Sequence, residues 1–205
     1  MQTLWEQFLQ QTITFGAIMD PIGVSAMMLG MLSRQVTRSE VRILARQTTW
    51  TVVVAFWIVL LAGDTILRLF GIDEHSLKVI GGIVLLMMAL EMLGNIPKRM
   101  LSSEEGGAIG VIPLGIPMIF GAGLFTTVII LKQQAQSWAE IGILIAAYAL
   151  NAVAVYFALR YAVELRRILG ETAERVVTRL MGLITGAIAV QFIIGGAVAL
   201  TRHYL

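Results

Sequence analysis

Six stretches of this 205-residue chain are apolar over about 20 residues or more, at 4–32, 43–70, 76–96, 109–131, 138–163 and 176–201. A helix rises 1.5 Å per residue, so about 20 residues cross the roughly 30 Å of hydrocarbon in a bilayer. Hydrophobic residues make up 58% of the chain and charged residues only 14%, more apolar surface than a domain of this size could cover in water. The reading is an all-α integral membrane protein of six transmembrane helices. Its connectors, SRQVTRSEVR, GIDEH, PKRMLSSEEGGA, KQQAQS and ELRRILGETAER, are short and polar, and none is long enough for a soluble domain.

Charge and cysteine usage narrow the function classes. A net charge of +2 is too small to predict a nucleic-acid partner. The absence of cysteine excludes disulfides, thiolate metal sites and the chemistry of membrane thiol–disulfide carriers. No Ser/His pair or metal-ligand spacing falls at membrane depth, so neither an enzyme, a bound metal nor a cofactor is expected. Residues 1–11 contain Glu6 but no Lys or Arg, unlike the basic start of a signal peptide, so the first helix is expected to be retained. Trp5, Trp50 and Trp138, near span ends, read as interfacial anchors.

With six spans, the connectors after spans one, three and five carry, with their flanks, eleven of the Lys and Arg residues, and the opposite side carries four. Positive charge favours the cytoplasmic side, which puts both termini outside, in the periplasm for an inner-membrane protein. A membrane-impermeant thiol reagent added from outside is expected to label His203→Cys and to spare Val36→Cys. The reverse pattern would turn the orientation over.

The first span is interrupted by chemistry that a membrane helix does not tolerate lightly. Asp20, Pro21 and Gly23 sit near its middle. A charged side chain there costs roughly 2.5–3.5 kcal/mol on insertion scales, and proline removes a backbone donor and clashes with the preceding turn. Non-helical backbone at membrane depth survives where it is buried in protein or lines a cavity. The fourth span has a counterpart in Pro113, Pro117 and Phe120-Gly121-Ala122-Gly123. Arg68-Leu-Phe-Gly71 followed by Lys78-Val-Ile-Gly81 is echoed by Arg167-Ile-Leu-Gly170 followed by Arg179-Leu-Met-Gly182. Two inverted three-helix repeats are therefore expected, at 1–96 and 109–205, joined by a cytoplasmic linker at 97–108, with helices 1 and 4 broken near mid-membrane.

Each break suggests its own ligand. Asp followed by Pro is the pattern of a helix start, with Asp20 as N-cap and Pro21 in the first helical position. Asp20 is thus either a structural cap or a cation site for a substrate ammonium, Na⁺ or H⁺. The second break has no acid, and a half-helix starting near Gly123, with Thr126 and Thr127 in its first turn, would offer free N–H groups to a carboxylate. Together the breaks describe a zwitterion site made of Asp20, Pro21, Gly23, Ser25, Gly121, Ala122, Gly123, Thr126 and Thr127. Glu91 and Gln191, at nearly equivalent places in spans three and six, are with Asp20 the candidates for ion coupling, although Glu91 either takes that role or simply reaches the interface at its end of span three. Asp64 and Arg68, spaced i, i+4, read as a surface pair. Asn151 and Thr185 either line a pathway or bond between helices.

The order of the Asp-Pro-x-Gly break, the segment LAGDTILRLFGI…LKVIGGIVLLMMALEML, the second break IGVIPLGIPMIFGAG and the last span ERVVTRLMGLITGAIAVQFIIGG resembles the MarC family of bacterial and archaeal inner-membrane proteins, also called the small neutral amino acid transporter family. The resemblance runs essentially end to end. It implies a six-helix inner-membrane transporter of amino acids such as alanine or glycine. Where the family usually has Asp-Pro-x-Gly-Asn-x-Pro, this chain has Val24 and Ala26 in place of the amide and the second proline, and it has Ala122 in place of the proline of Gly-Pro-Gly. The functional expectation is a secondary transporter of a small neutral amino acid or similar solute, coupled to H⁺ or Na⁺. The alternative is a non-transporting membrane protein, such as a lipid-handling or assembly factor, that keeps the fold. The lipid bilayer and a small-molecule solute are the expected partners, and the oligomeric state is left open, a homo-oligomer included.

Overall fold

The structure is a computed structural model and describes residues 3–32, 38–94 and 119–204. The described elements are helices: α1 Leu4–Met19, α2 Pro21–Met31, α3 Arg38–Leu69, α4 Glu74–Met92, α5 Ala122–Gln134, α6 Trp138–Arg160 and α7 Ala162–Tyr204. The 97–108 linker and the 109–118 part of the fourth apolar run, with Pro113 and Pro117, lie outside the described residues.

Among the described residues, five helical units are long and apolar enough to cross a membrane: Leu4–Gly30, which joins α1 and α2, then α3, α4, α6 and α7. Six were expected. Of the fourth run, the described residues hold the 13-residue α5, about 20 Å of helix against roughly 30 Å of hydrocarbon. Along α3, α6 and α7, large apolar side chains such as Ile58, Leu61, Leu150, Val153 and Ile194 face outward, a surface suited to lipid and not to water.

Local chemistry explains the helix limits. Thr3 and Glu6 form a reciprocal capping box at the start of α1. Asp73 caps α4 by accepting from the N–H groups of His75 at 2.9 Å and Ser76 at 3.2 Å. Gly71, with φ +63°, closes α3 in a left-handed turn in which Ile72 N–H reaches the Leu67 carbonyl at 2.9 Å. The connector ELRRILGETAER, read from sequence as a polar loop, is instead helical and belongs to α7, broken only by Gly170 at φ 72°, ψ 161°. Its composition favours helix, and Glu171 pairs with both Arg166 and Arg175.

Three contacts set the arrangement of the bundle. Tyr148 of α6 stacks on Phe56 of α3 at 3.8 Å, meets Phe15 of α1 edge-on at 5.3 Å, and donates to the Val52 carbonyl at 2.9 Å. Asn151 of α6 donates to the Thr12 carbonyl of α1 at 3.1 Å, so of its two sequence readings it takes the bond between helices. Finally, α4 and α7 run antiparallel in close contact. A Cβ on Gly82 would lie 2.8 Å from the Ala189 carbonyl and 2.9 Å from the Ile193 nitrogen, and one on Gly182 would lie 3.2 Å from the Ala89 carbonyl. Glycine lets the two backbones approach this closely.

One expected pair is corrected. Asp64 engages Lys132 of α5 at 2.6 Å, with Gln133 at 3.4 Å, and not Arg68. The i+4 spacing made Arg68 available, but Asp64 points across to α5, where half-buried carboxylate and ammonium meet.

Candidate functional site

Only one residue separates α1 from α2. Asp20 closes α1 through its N–H, which donates to the Gly16 carbonyl at 3.0 Å, and opens α2 through its carbonyl, which accepts from Val24 N–H at 2.9 Å. Its Oδ1 accepts from Gly23 N–H at 3.1 Å, while Pro21 fills the first helical position. To serve both helices at once its backbone takes φ 36°, ψ 70°, and it is the one non-glycine residue with positive φ among the described residues. Asp and Asn tolerate this region better than other side chains, and non-glycine residues held there gather at functional sites.

The break is compact because Gly23 has no side chain. A Cβ there would stand 2.0 Å from Asp20 Oδ2 and 2.9 Å from the Thr178 hydroxyl oxygen of α7. The acid is thus held by a backbone N–H of its own helix, and the hydroxyl of Thr178 from α7 stands beside it. Ser25, one turn on, is fully buried and its hydroxyl donates to the Ile22 carbonyl at 2.7 Å.

Asp20 is 5% exposed and faces a cavity of about 560 Å³ bounded by α1, α2, α6 and α7. Its walls include Ile13, Gly16, Phe157, Tyr161 and Met181, and Asp20 is the only charged side chain among the described lining residues. The cavity lies toward the end of the bundle where α6 stops. There Arg160 donates to the Tyr156 hydroxyl at 2.8 Å and covers the rings of Tyr156 and Tyr161. A single buried acid beside an apolar cleft suits a cation with a small apolar body.

The second break begins a helix where the sequence places it. Gly121 is the N-cap of α5 in extended backbone, with no side-chain hydrogen bond to the helix end. Ala122 occupies the first helical position and is exposed. The next residues turn toward α4. A Cβ on Gly123 would meet Leu85 at 2.6 Å, Thr126 lies against Gly81, and the Thr127 hydroxyl donates to the Gly123 carbonyl at 2.8 Å. Asp20 and Pro21 therefore share the cavity, with Gly23 and Ser25 behind them, whereas Gly121, Ala122, Gly123, Thr126 and Thr127 do not line it.

Glu91 and Gln191 are exposed on α4 and α7 and also lie outside the cavity lining. One residue at the site escaped the sequence reading, Thr178, which lies just beyond the stretch taken for a loop. Read as helix, Glu174, Thr178, Met181 and Thr185 recur at the spacing of a single face, and this face of α7 carries Thr178 to Asp20.

The chain matches the sequence profile of the MarC family of integral membrane proteins over residues 5–201. It is 31% identical to the UPF0056 membrane protein YhcE of Escherichia coli over 189 residues, 88% of this chain and 86% of that one. It is 29% identical to a UPF0056 membrane protein of Aquifex aeolicus over 206 residues, 96% and 94% of the two chains, and 32% identical to one from Pyrococcus abyssi over 185 residues, 88% and 89%. No solved structure matches it. The profile match over nearly the whole chain, together with relatives aligned over almost their full lengths, places this protein in the MarC family of integral membrane proteins.

Proposed function

We propose that the protein is a secondary transporter of small neutral amino acids or a similar small solute, coupled to H⁺ or Na⁺, in the inner membrane with both termini periplasmic. The observation that carries this reading is Asp20, a buried acid at the junction of two half-helices, bordering an otherwise apolar cleft between helices of membrane length. Charge inside a membrane protein is kept for substrate and ion handling, and broken helices place it where a ligand can reach backbone and side chain together. In this reading Asp20 binds the ammonium or the coupling ion, and the apolar walls hold a short side chain.

Support for an inverted repeat comes from how the helices pair. Asp20 and Gly121 are the N-caps of α2 and α5. α2 packs on α6 and α7, and α5 packs on α3 and α4, the contacts expected if a two-fold relates the halves. The close approach of Gly82 to Ala189 is matched by that of Gly182 to Ala89, and the echoed Gly71 and Gly170 both have positive φ. Rocking one half against the other would expose Asp20 to each side in turn.

The test is uptake of labelled alanine by purified protein in vesicles, under an imposed proton or sodium gradient. Gradient-driven accumulation above protein-free vesicles is expected. Its absence for alanine, glycine and serine under both gradients would sink the transporter reading.

A further inference from the structure

Glu174 stands on α7 one turn before Thr178, and only 5% of it is exposed. Its Oε1 has no hydrogen-bond partner among the described residues. A buried acceptor left without a donor is unfavourable, and more so when it belongs to a carboxylate. Two of the arginines on this segment, Arg166 and Arg175, pair with Glu171 on its exposed side. The place of Glu174 in the fold is specific. Residues i and i+4 of a helix stand roughly 5–6 Å apart at Cβ, and the i+4 residue is Thr178, whose hydroxyl stands beside the Asp20 carboxylate. Val177 and Met181, on the same stretch of α7, line the Asp20 cavity. Two buried carboxyl groups from different helices thus lie on either side of Thr178, with Glu174 nearer the arginine-rich end of the bundle.

We propose that Glu174 is a second cation-binding site, for H⁺ or Na⁺, through which the ion that Asp20 binds is exchanged with the arginine-rich end of the bundle. The proposal rests on the coupled-transport reading. Net uptake requires the ion to leave the protein in every cycle, whereas exchange of internal for external solute does not. Blocking ion release at Glu174 therefore slows the first process and spares the second.

In vesicles, Glu174→Gln is expected to lower gradient-driven uptake of labelled alanine at least tenfold and to leave alanine–alanine exchange within about twofold of the parent, with Glu174→Asp recovering part of the uptake. Unchanged net uptake, or equal loss of uptake and exchange, would overturn the ion-release role. Reaction of the unmodified protein with dicyclohexylcarbodiimide, read by mass spectrometry of the peptide holding Glu174, keeps the site testable if the variants fail to fold or alanine is not transported. Labelling at Glu174 that Na⁺ suppresses assigns the site to sodium. Labelling that Na⁺ leaves unchanged and that rises as pH falls assigns it to the proton. No labelling, or labelling indifferent to both, would overturn the cation site whatever the substrate proves to be.

Discussion

Asp20→Asn is expected to lower alanine uptake ten- to a hundredfold while leaving the amount of inserted, folded protein nearly unchanged. The amide keeps the structural half of the residue's work. It can accept from Gly23 N–H as Asp20 Oδ1 does at 3.1 Å, asparagine caps helices about as well as aspartate, and it tolerates left-handed backbone such as φ 36°. It cannot carry charge or exchange a proton. Contacts to a charged partner are worth about 1.5–3 kcal/mol, which sets the size of the loss. Asp20→Ala separates the two roles, because it removes the cap, about 1 kcal/mol, and places an unsuited residue in left-handed backbone, about 1–2 kcal/mol. That variant should lose both stability and uptake. Full uptake by Asp20→Asn would reduce Asp20 to a helix cap.

The second large effect is expected in the α4–α7 contact. Gly82→Ala should destabilise the folded protein by about 1–3 kcal/mol, the range for overpacked cores. The atoms that the new methyl would meet at 2.8 and 2.9 Å belong to the α7 backbone at Ala189 and Ile193 and cannot rotate away. Gly142→Ala is the control. Nothing lies within 4 Å of a Cβ there, the site is helical, and the exchange of Gly for Ala should be neutral or stabilising by up to about 1 kcal/mol. Thermal unfolding in detergent, followed by loss of the monodisperse peak, would compare them. Equal midpoints for the two variants would show that α4 and α7 are not held at this distance in solution.

Much of the fold was legible from the order of residues because the rules that wrote it are local. Apolar length and composition identified a membrane protein, and five of the six apolar runs recur as helical units of membrane length. The break at Asp20-Pro21 and the start of α5 at Ala122 followed from the chemistry of single residues, namely proline without its N–H, aspartate as a cap and glycine without a Cβ. The helical connector before α7 was misread because its charges suggested a loop, although charged residues such as Glu and Arg are good helix formers and the Glu171 pairs need only neighbouring turns.

What the tertiary structure alone decided is which side chains meet. Asp64 found Lys132 in another helix rather than Arg68 four residues away. Asp20 found Thr178, and the cavity drew its walls from α1, α2, α6 and α7 while leaving the second break against α4. The rotation of each helix about its axis decides such meetings. That rotation is set by packing between segments far apart in the chain, here by Tyr148 stacked on Phe56 and by glycines that let α4 and α7 touch. Hydrophobic periodicity in a membrane is a poor guide to it, because the faces turned to lipid are as apolar as those turned to the core.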